Sequence, residues 1–432
     1  MPAVSIMNTN EADALPGLPP IRIRPPEFNL AMTKTVAKTD MIIQPASRLG
    51  EVKEYYFSTK LREITQMRAE GKPVLNLGIG SPDLPPSQEV IEALTDAVLH
   101  NDVHGYQSYM GIPELRAAFA EWYEQWFGAS LDSEGEILPL MGSKEGLMHI
   151  AMAFLEEGDE VLVPNPGYPA YRAVSNLTGA AIREYKLEPE RGWLPDIAAL
   201  ESTDLSRVKI MWLNYPNMPT GQAADLSFLE RIVAFARRHR ILIVNDNPYS
   251  FILNEQQHSI LSIPGAKDVA VELNSLSKGH NMAGWRIGML AGRPDYLQVV
   301  LRFKSNMDSG MFKPVQLAAV QALKSPASWY ERLNGVYAER RETVFQLFDA
   351  LGCEYDPQQV GLFVWAKIPA RYADAYALAD EVLYEHNVFI TPGGIFGSQG
   401  DRYLRISLCS DGALYEEAMR RVGNGNGGPR SE

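Results

Sequence analysis

Apolar residues recur at helical spacing in some stretches of this chain and in short continuous runs in others, and the two patterns alternate through its middle. Leu49, Val52, Tyr56, Leu61 and Ile64 share one face of an amphipathic helix predicted over 48–67. The run Pro73-Val-Leu-Asn-Leu-Gly-Ile-Gly80 reads as a strand entering a glycine turn, and helices are predicted over 87–99, 112–127 and 141–155. Beyond Gly158, buried strands at 160–163, 208–213, 241–244 and 269–273 are interleaved with helices at 168–177 and 225–240. Such interleaving predicts an α/β fold with a mostly parallel central sheet covered by helices on both faces. After Gly310 come helices at 314–323, 328–351 and 373–386 with strands at 362–368, 388–391 and 403–408, the pattern of a smaller α+β domain.

These patterns divide the chain. Residues 1–45 carry seven prolines and no apolar period, which predicts an N-terminal arm of disordered composition, and 423–432, GNGNGGPRSE, predicts a flexible tail. Between them, 81–311 is assigned to a large domain, with 46–80 and 312–422 as the two parts of a small one. No internal repeat is visible.

Composition narrows the function. With 432 residues, 46% of them apolar, the chain can bury a large core. Forty Lys and Arg against 53 Asp and Glu leave a formal charge of −13, which repels a phosphate backbone, so no nucleic-acid partner is expected. The leader lacks the two periodic helices of a helix-turn-helix reader. Cys353 and Cys409 form neither a disulfide framework nor a metal-ligand spacing, and no metal is expected. No apolar run reaches bilayer length and the first residues lack a signal pattern, so a soluble cytoplasmic protein without a membrane partner is predicted.

Candidate chemistry gathers after the predicted strands, where α/β sheets collect ligands. Asn214-Tyr-Pro-Asn217 follows one, Asn245-Asp-Asn-Pro-Tyr249 a second and Ser275-Leu-Ser-Lys278 a third. Lys278 sits among small residues with Arg286 eight positions on. A lysine meant for a carbonyl must lose its proton near neutral pH, which partial burial or a neighbouring cation achieves. Asp246 follows the apolar run Ile241-Leu-Ile-Val, where a carboxylate without a cationic partner is costly. The helix start at Gly142-Ser143-Lys144 offers free N–H groups to an anion. Arg405 lies in an apolar strand, where a bidentate carboxylate pair is the usual reason for an arginine. Each has a plainer reading: a solvated loop, a turn-capping acid, a capped helix, a snorkelling arginine.

Taken together, SLSKGHNMAGWRIG, with Asn217, Asp246 and Tyr249 before it and Arg405 after it, resembles the class I/II aminotransferases of the fold-type I pyridoxal-phosphate enzymes, over about residues 46–418. The resemblance implies pyridoxal 5'-phosphate as cofactor, Lys278 as the amine that bonds it and shuttles the proton, and Asp246 on its pyridine nitrogen. It implies Tyr249 and Asn217 on the phenolic oxygen, Tyr168 stacked on the ring, and the phosphate held by Gly142, Ser143, Lys144, Ser275, Ser277 and Arg286. Tyr106 resembles a tyrosine that reaches the neighbouring subunit's phosphate, implying a homodimer with shared sites. The resemblance also implies Gly80, Asn217 and Arg405 at the substrate's α-carboxylate.

The implied activity is ping-pong transfer of an amino group between an amino acid and a 2-oxo acid. A neutral donor is favoured, because no arginine here matches the family position for a distal carboxylate. Tyr55, Tyr56, Phe57, Ile79, Met110, Leu362, Phe363 and Phe396 are expected to border its pocket, with Arg62 or Arg68 able to swing in for an acidic donor. The alternatives are an LL-diaminopimelate-type or aspartate-type aminotransferase, a carbon–sulfur lyase, and a non-catalytic pyridoxal-phosphate-binding regulator.

Overall fold

Among the described residues, eight strands carry the first two-thirds of the chain: β1 (Leu75–Asn76), β2 (Ile137–Leu140), β3 (Glu160–Asn165), β4 (Ala181–Lys186), β5 (Val208–Leu213), β6 (Leu242–Asp246), β7 (Ala270–Ser275) and β8 (Gly288–Ala291). This computed structural model describes residues 42–50 and 56–425. Residues 42–45 close the first of two compact units, 1–45, and are exposed; the described strands and helices all belong to the second, 46–432.

Strands β2 to β8 form one seven-stranded sheet in the order β2-β8-β7-β6-β5-β3-β4. Every neighbouring pair from β7 to β4 is parallel, and only β8 runs against its neighbours. The sheet is therefore mostly parallel, with helices between its strands, as the interleaved pattern predicts. Its central strands are apolar without alternation because each face has its own core. Met211, Leu213 and Ile243 pack into one cluster, while Ile210, Trp212 and Val244 pack into the other.

Strands β9 (Glu354–Tyr355), β10 (Phe363–Lys367), β11 (Val388–Phe389), β12 (Thr391–Pro392) and β13 (Tyr403–Ser407) complete the set. Four of them make an antiparallel sheet, β12-β13-β10-β9, and β11 pairs in parallel with β1. Leu77 shares a third core with residues of 333–422, among them Phe348, Val364 and Ile406.

The structure departs from the pattern at several places. The first helix is Tyr56–Ala69, preceded by a short turn of helix at Ser47–Leu49, and residues 51–55 lie outside the described residues. Strand β4 went unpredicted because it is a sheet edge of mixed polarity, Ala-Ile-Arg-Glu-Tyr-Lys, with one buried residue. Strand β2 holds Pro139, tolerated because this strand too is an edge. A helix at Gly412–Gly425 replaces the start of the predicted tail; 426–432 and the arm's residues 1–41 lie outside the described residues. None of the described helices is long and apolar enough to cross a membrane.

Candidate active site

Because β5, β6 and β7 are parallel neighbours, their carboxyl ends lie side by side, and Asn214, Asp246 and Ser275 emerge on one edge of the sheet. A cavity of about 470 Å³ opens there. Ser143, Lys144, Tyr168, Asp246, Tyr249, Ser275, Ser277, Lys278, Arg286, Gly80 and Arg405 all line it. Residues separated by more than 300 positions in sequence thus meet around one space.

Lys278 belongs to a short helix, Leu276–Gly279, whose N-cap is Ser275: its hydroxyl accepts from Ser277 N at 3.1 Å. Ser275 Oγ in turn donates to Ser277 Oγ at 2.9 Å. The Lys278 ammonium donates to Gly80 O at 2.6 Å. Loss of hydration pushes its pKa down, and the Arg405 and Arg286 charges add to this against an opposing effect of Cys409.

Asp246 ends β6 and is buried. Burial pushes its pKa up to about 6; the Tyr171 hydroxyl opposes the rise and the Glu272 charge adds to it. One carboxylate oxygen, Oδ1, is buried with no hydrogen-bond partner. Tyr249 stands three residues on, its phenol pushed upward first by burial and then by the Asp246 charge.

At the opposite end of the cavity the helix Ser143–Phe154 begins with no side-chain cap. Gly142 has φ +83°, and a Cβ there would lie 2.2 Å from Arg286 Nη2, so only glycine lets the guanidinium reach this helix start. Arg286 is exposed, tethered by Nη1 to Ala283 O at 2.9 Å. Over the cavity, Arg405 lies in a cage of Phe363 at 4.0 Å, Phe396 at 4.6 Å and Phe57 at 5.7 Å from the guanidinium carbon. It donates to Gly78 O at 2.8 Å and contacts Met218 Sδ at 3.3 Å.

Some candidates are not brought to this wall. Asn217 is buried and does not line the cavity: its amide oxygen accepts from the Thr220 hydroxyl at 2.7 Å and its Nδ2 donates one N–H to Asn214 O at 3.1 Å, which leaves its second N–H for another acceptor. Asn214 lines the cavity in its place. Tyr106 is 93% exposed and away from the cavity of its own chain. Gly142 supports Arg286 from behind. Of the expected pocket residues, Phe57, Ile79, Phe363 and Phe396 line the cavity, whereas Tyr56, Met110 and Leu362 do not, and Tyr55 lies outside the described residues. Arg68 is tied to Val74 O at 2.7 Å and Arg62 reaches Thr59, neither at the wall. Sequence reasoning gave Asn214 no role beyond opening its motif and missed Tyr171, Ser58 and Leu61 as site residues; of these three, Tyr171 had a visible signal, the second tyrosine of Tyr168-Pro-Ala-Tyr171.

The donors fit pyridoxal phosphate. An orphaned buried carboxylate oxygen suits a protonated ring nitrogen, and an uncapped helix start beside an arginine and two serine hydroxyls suits a phosphate. This fold and this set of side chains define a fold-type I pyridoxal-phosphate enzyme. The family model for aminotransferase class I and II matches residues 72–422. The chain belongs to that family, and it is a pyridoxal-phosphate-dependent aminotransferase. It is similar to an LL-diaminopimelate aminotransferase of Moorella thermoacetica, 38% identical over 88% of this chain and 98% of the relative. It also resembles the substrate-bound BacF structure of Bacillus subtilis, with 35% identity, a TM-score of 0.85 and coverage of 89% and 98% of the two chains. A structure of a probable N-succinyldiaminopimelate aminotransferase from Thermus thermophilus is 31% identical, with a TM-score of 0.78 and coverage of 85% and 99%.

Proposed function

We propose that the chain moves an amino group between a neutral amino acid with an apolar or long flexible side chain and a 2-oxo acid, by a ping-pong cycle in the cavity around Lys278. The observation that carries this reading is the wall itself: beside the caged Arg405 stand Phe57, Leu61, Ile79, Phe363 and Phe396, and among the described residues no second arginine lines it except Arg286 at the helix start. When bound, the cofactor supplies a carbonyl for the substrate amine and a ring that takes up the electrons released at the α-carbon. Lys278, with its ammonium destabilised by burial and flanking cations, would hold the cofactor through its amine and, once displaced by the substrate amine, would carry the proton at the α-carbon. Asp246 Oδ1 holds the ring-nitrogen proton, Tyr249 donates to the phenolic oxygen, and Tyr168 supports the ring face. The Ser143 and Lys144 amides, Ser275, Ser277 and Arg286 hold the phosphate. Arg405 and the Gly80 amide take the α-carboxylate, a far better acceptor than the Met218 thioether that Arg405 now touches.

The donor reading is tested by specificity constants for alanine, leucine, methionine, phenylalanine, aspartate, glutamate and LL-diaminopimelate, with 2-oxoglutarate and pyruvate as acceptors. Each buried methylene should raise kcat/KM about fourfold, the equivalent of about 0.8 kcal/mol. Preference for aspartate or diaminopimelate over every neutral donor would show that the pocket has been misread. The second reading is LL-diaminopimelate itself, favoured by the name of the Moorella relative and by Lys144, an exposed cation on the cavity wall able to meet a distal carboxylate.

The proposed unit is a homodimer with shared sites. Tyr106, Met307 and Phe312 are exposed on neighbouring loops, which Gly310 holds together: a Cβ there would lie 2.6 Å from Gln107 O. Mixing inactive Lys278→Ala with inactive Tyr106 variants should then restore activity, to about a quarter of wild-type sites on random pairing. A fully active monomer in sedimentation would refute it. The core that joins Leu77 to residues of 333–422, with Met218 and Ile252 also in it, supports 46–80 with 312–422 as a small domain packed against 81–311, and two free buried cysteines agree with a cytoplasmic enzyme.

A further inference from the structure

Asp246 has a neighbour that no motif names. Its Oδ2 accepts from the Tyr171 hydroxyl at 2.9 Å, whereas Oδ1 is buried and unpartnered. Tyr171 is itself 1% exposed and fixed on three sides. Its ring stacks on Trp212, with centroids 5.5 Å apart and planes 9° from parallel, and Tyr168 meets it edge-on at 5.6 Å. Trp212 Nε1 donates to Ser175 Oγ at 3.1 Å, and that hydroxyl donates to the Tyr171 carbonyl at 2.7 Å. Helix Pro169–Thr178 and β5 are thereby laced together behind the phenol, whose hydroxyl donates to Asp246.

We propose that Tyr171 is a positioning residue: by occupying Oδ2 it fixes the carboxylate plane so that Oδ1 alone is left for the cofactor's ring nitrogen, and it stabilises the ionised acid that this contact needs. The proposal rests on the reading of Asp246 as the ring-nitrogen partner. A hydrogen bond to the charged form of a buried acid favours that form, and without it the carboxyl would be free to rotate and to take up a proton. Burial already pushes Asp246 toward the neutral acid, and Tyr171 is the group that opposes it. The Trp212 stack and the Tyr168 contact matter because a phenol that could swing aside would not fix the plane of the acid.

The test uses the full-length apoprotein and two ligands: pyridoxal phosphate, and its analogue with carbon in place of the ring nitrogen. Tyr171→Phe keeps the ring and its stack while removing the hydroxyl, and its thermal midpoint reports whether it folds. Wild-type protein should bind pyridoxal phosphate more tightly than the analogue. The variant should lose about ten- to a hundredfold in affinity for pyridoxal phosphate, the range for a hydrogen bond to a charged group, with its affinity for the analogue unchanged. Equal losses for both ligands, or full discrimination retained by the variant, would overturn the role of Tyr171 alone. A wild-type protein that binds both ligands equally would overturn the reading of Asp246, and this proposal with it.

Discussion

Replacing Lys278 with alanine should remove the visible absorbance of the lysine-bound cofactor and lower turnover by roughly 10²–10⁴-fold from the lost proton transfer alone. In the proposed cycle the lysine would combine two duties at one nitrogen. Its ammonium is held 2.6 Å from Gly80 O, on the loop that also supplies the Gly78 carbonyl to Arg405, so the amine sits between the ring site and the carboxylate site. Burial with Arg405 and Arg286 nearby disfavours the ammonium and so favours the amine form that bonding and proton transfer need. Alanine removes both functions and leaves the cavity walls standing, so the variant should still bind the cofactor without a covalent bond. The measurement is absorbance and borohydride trapping beside kcat. A variant that retains a borohydride-reducible cofactor adduct on the protein would show that another lysine forms the bond.

How much the sequence made legible depends on how far each signal rests on local spacing. The parallel sheet was readable because β5 and β6 are buried on both faces and hold the apolar runs Ile210-Met-Trp-Leu213 and Leu242-Ile-Val244, whereas β7 also buries Glu272 and Asn274. Their carboxyl ends were readable too, since in a parallel sheet the residues after successive strands converge whatever lies between them, which is how Asp246 and Lys278 could be placed on one site. Edge strands were harder: β4 exposes most of its side chains, so its pattern carries almost no hydrophobic period. Asn217 shows another limit. An asparagine after a strand reads equally well as a ligand or as a turn residue, and here Thr220 and Asn214 take up its oxygen and one of its two amide N–H groups within the turn. Tyr171 was hidden for the opposite reason. A tyrosine one helical turn past Tyr168 looks like core packing, and it is packed, against Trp212; only the position of its hydroxyl relative to Asp246 gives it a second meaning.

Changing Asp246 to alanine should leave the fold intact and slow the chemical step by about a hundredfold to a few thousandfold, the equivalent of the roughly 3–5 kcal/mol at stake when one partner of a buried charge pair is removed. In the proposed cycle the acid would hold the ring-nitrogen proton, which would let the ring accept electrons from the α-carbon. The same burial that makes this contact strong makes the carboxylate costly in the apoprotein. Its pKa in the folded chain is about 6, above the ordinary value of 3.8, so between these two values the native state binds more protons than the unfolded one. Stability from this group is therefore fully present below about pH 4 and is lost as pH rises through about 6. Asp246→Asn removes the titration, so the stability of the apo variant relative to apo wild type should rise by about 3 kcal/mol across that window and stay level above it. Denaturant unfolding of both apoproteins at several pH values gives the difference, in which the other titrating groups cancel. A difference that does not change with pH would mean that Asp246 is not a buried, strained acid. Near-normal turnover of the alanine variant with cofactor bound would mean that some other residue holds the ring nitrogen.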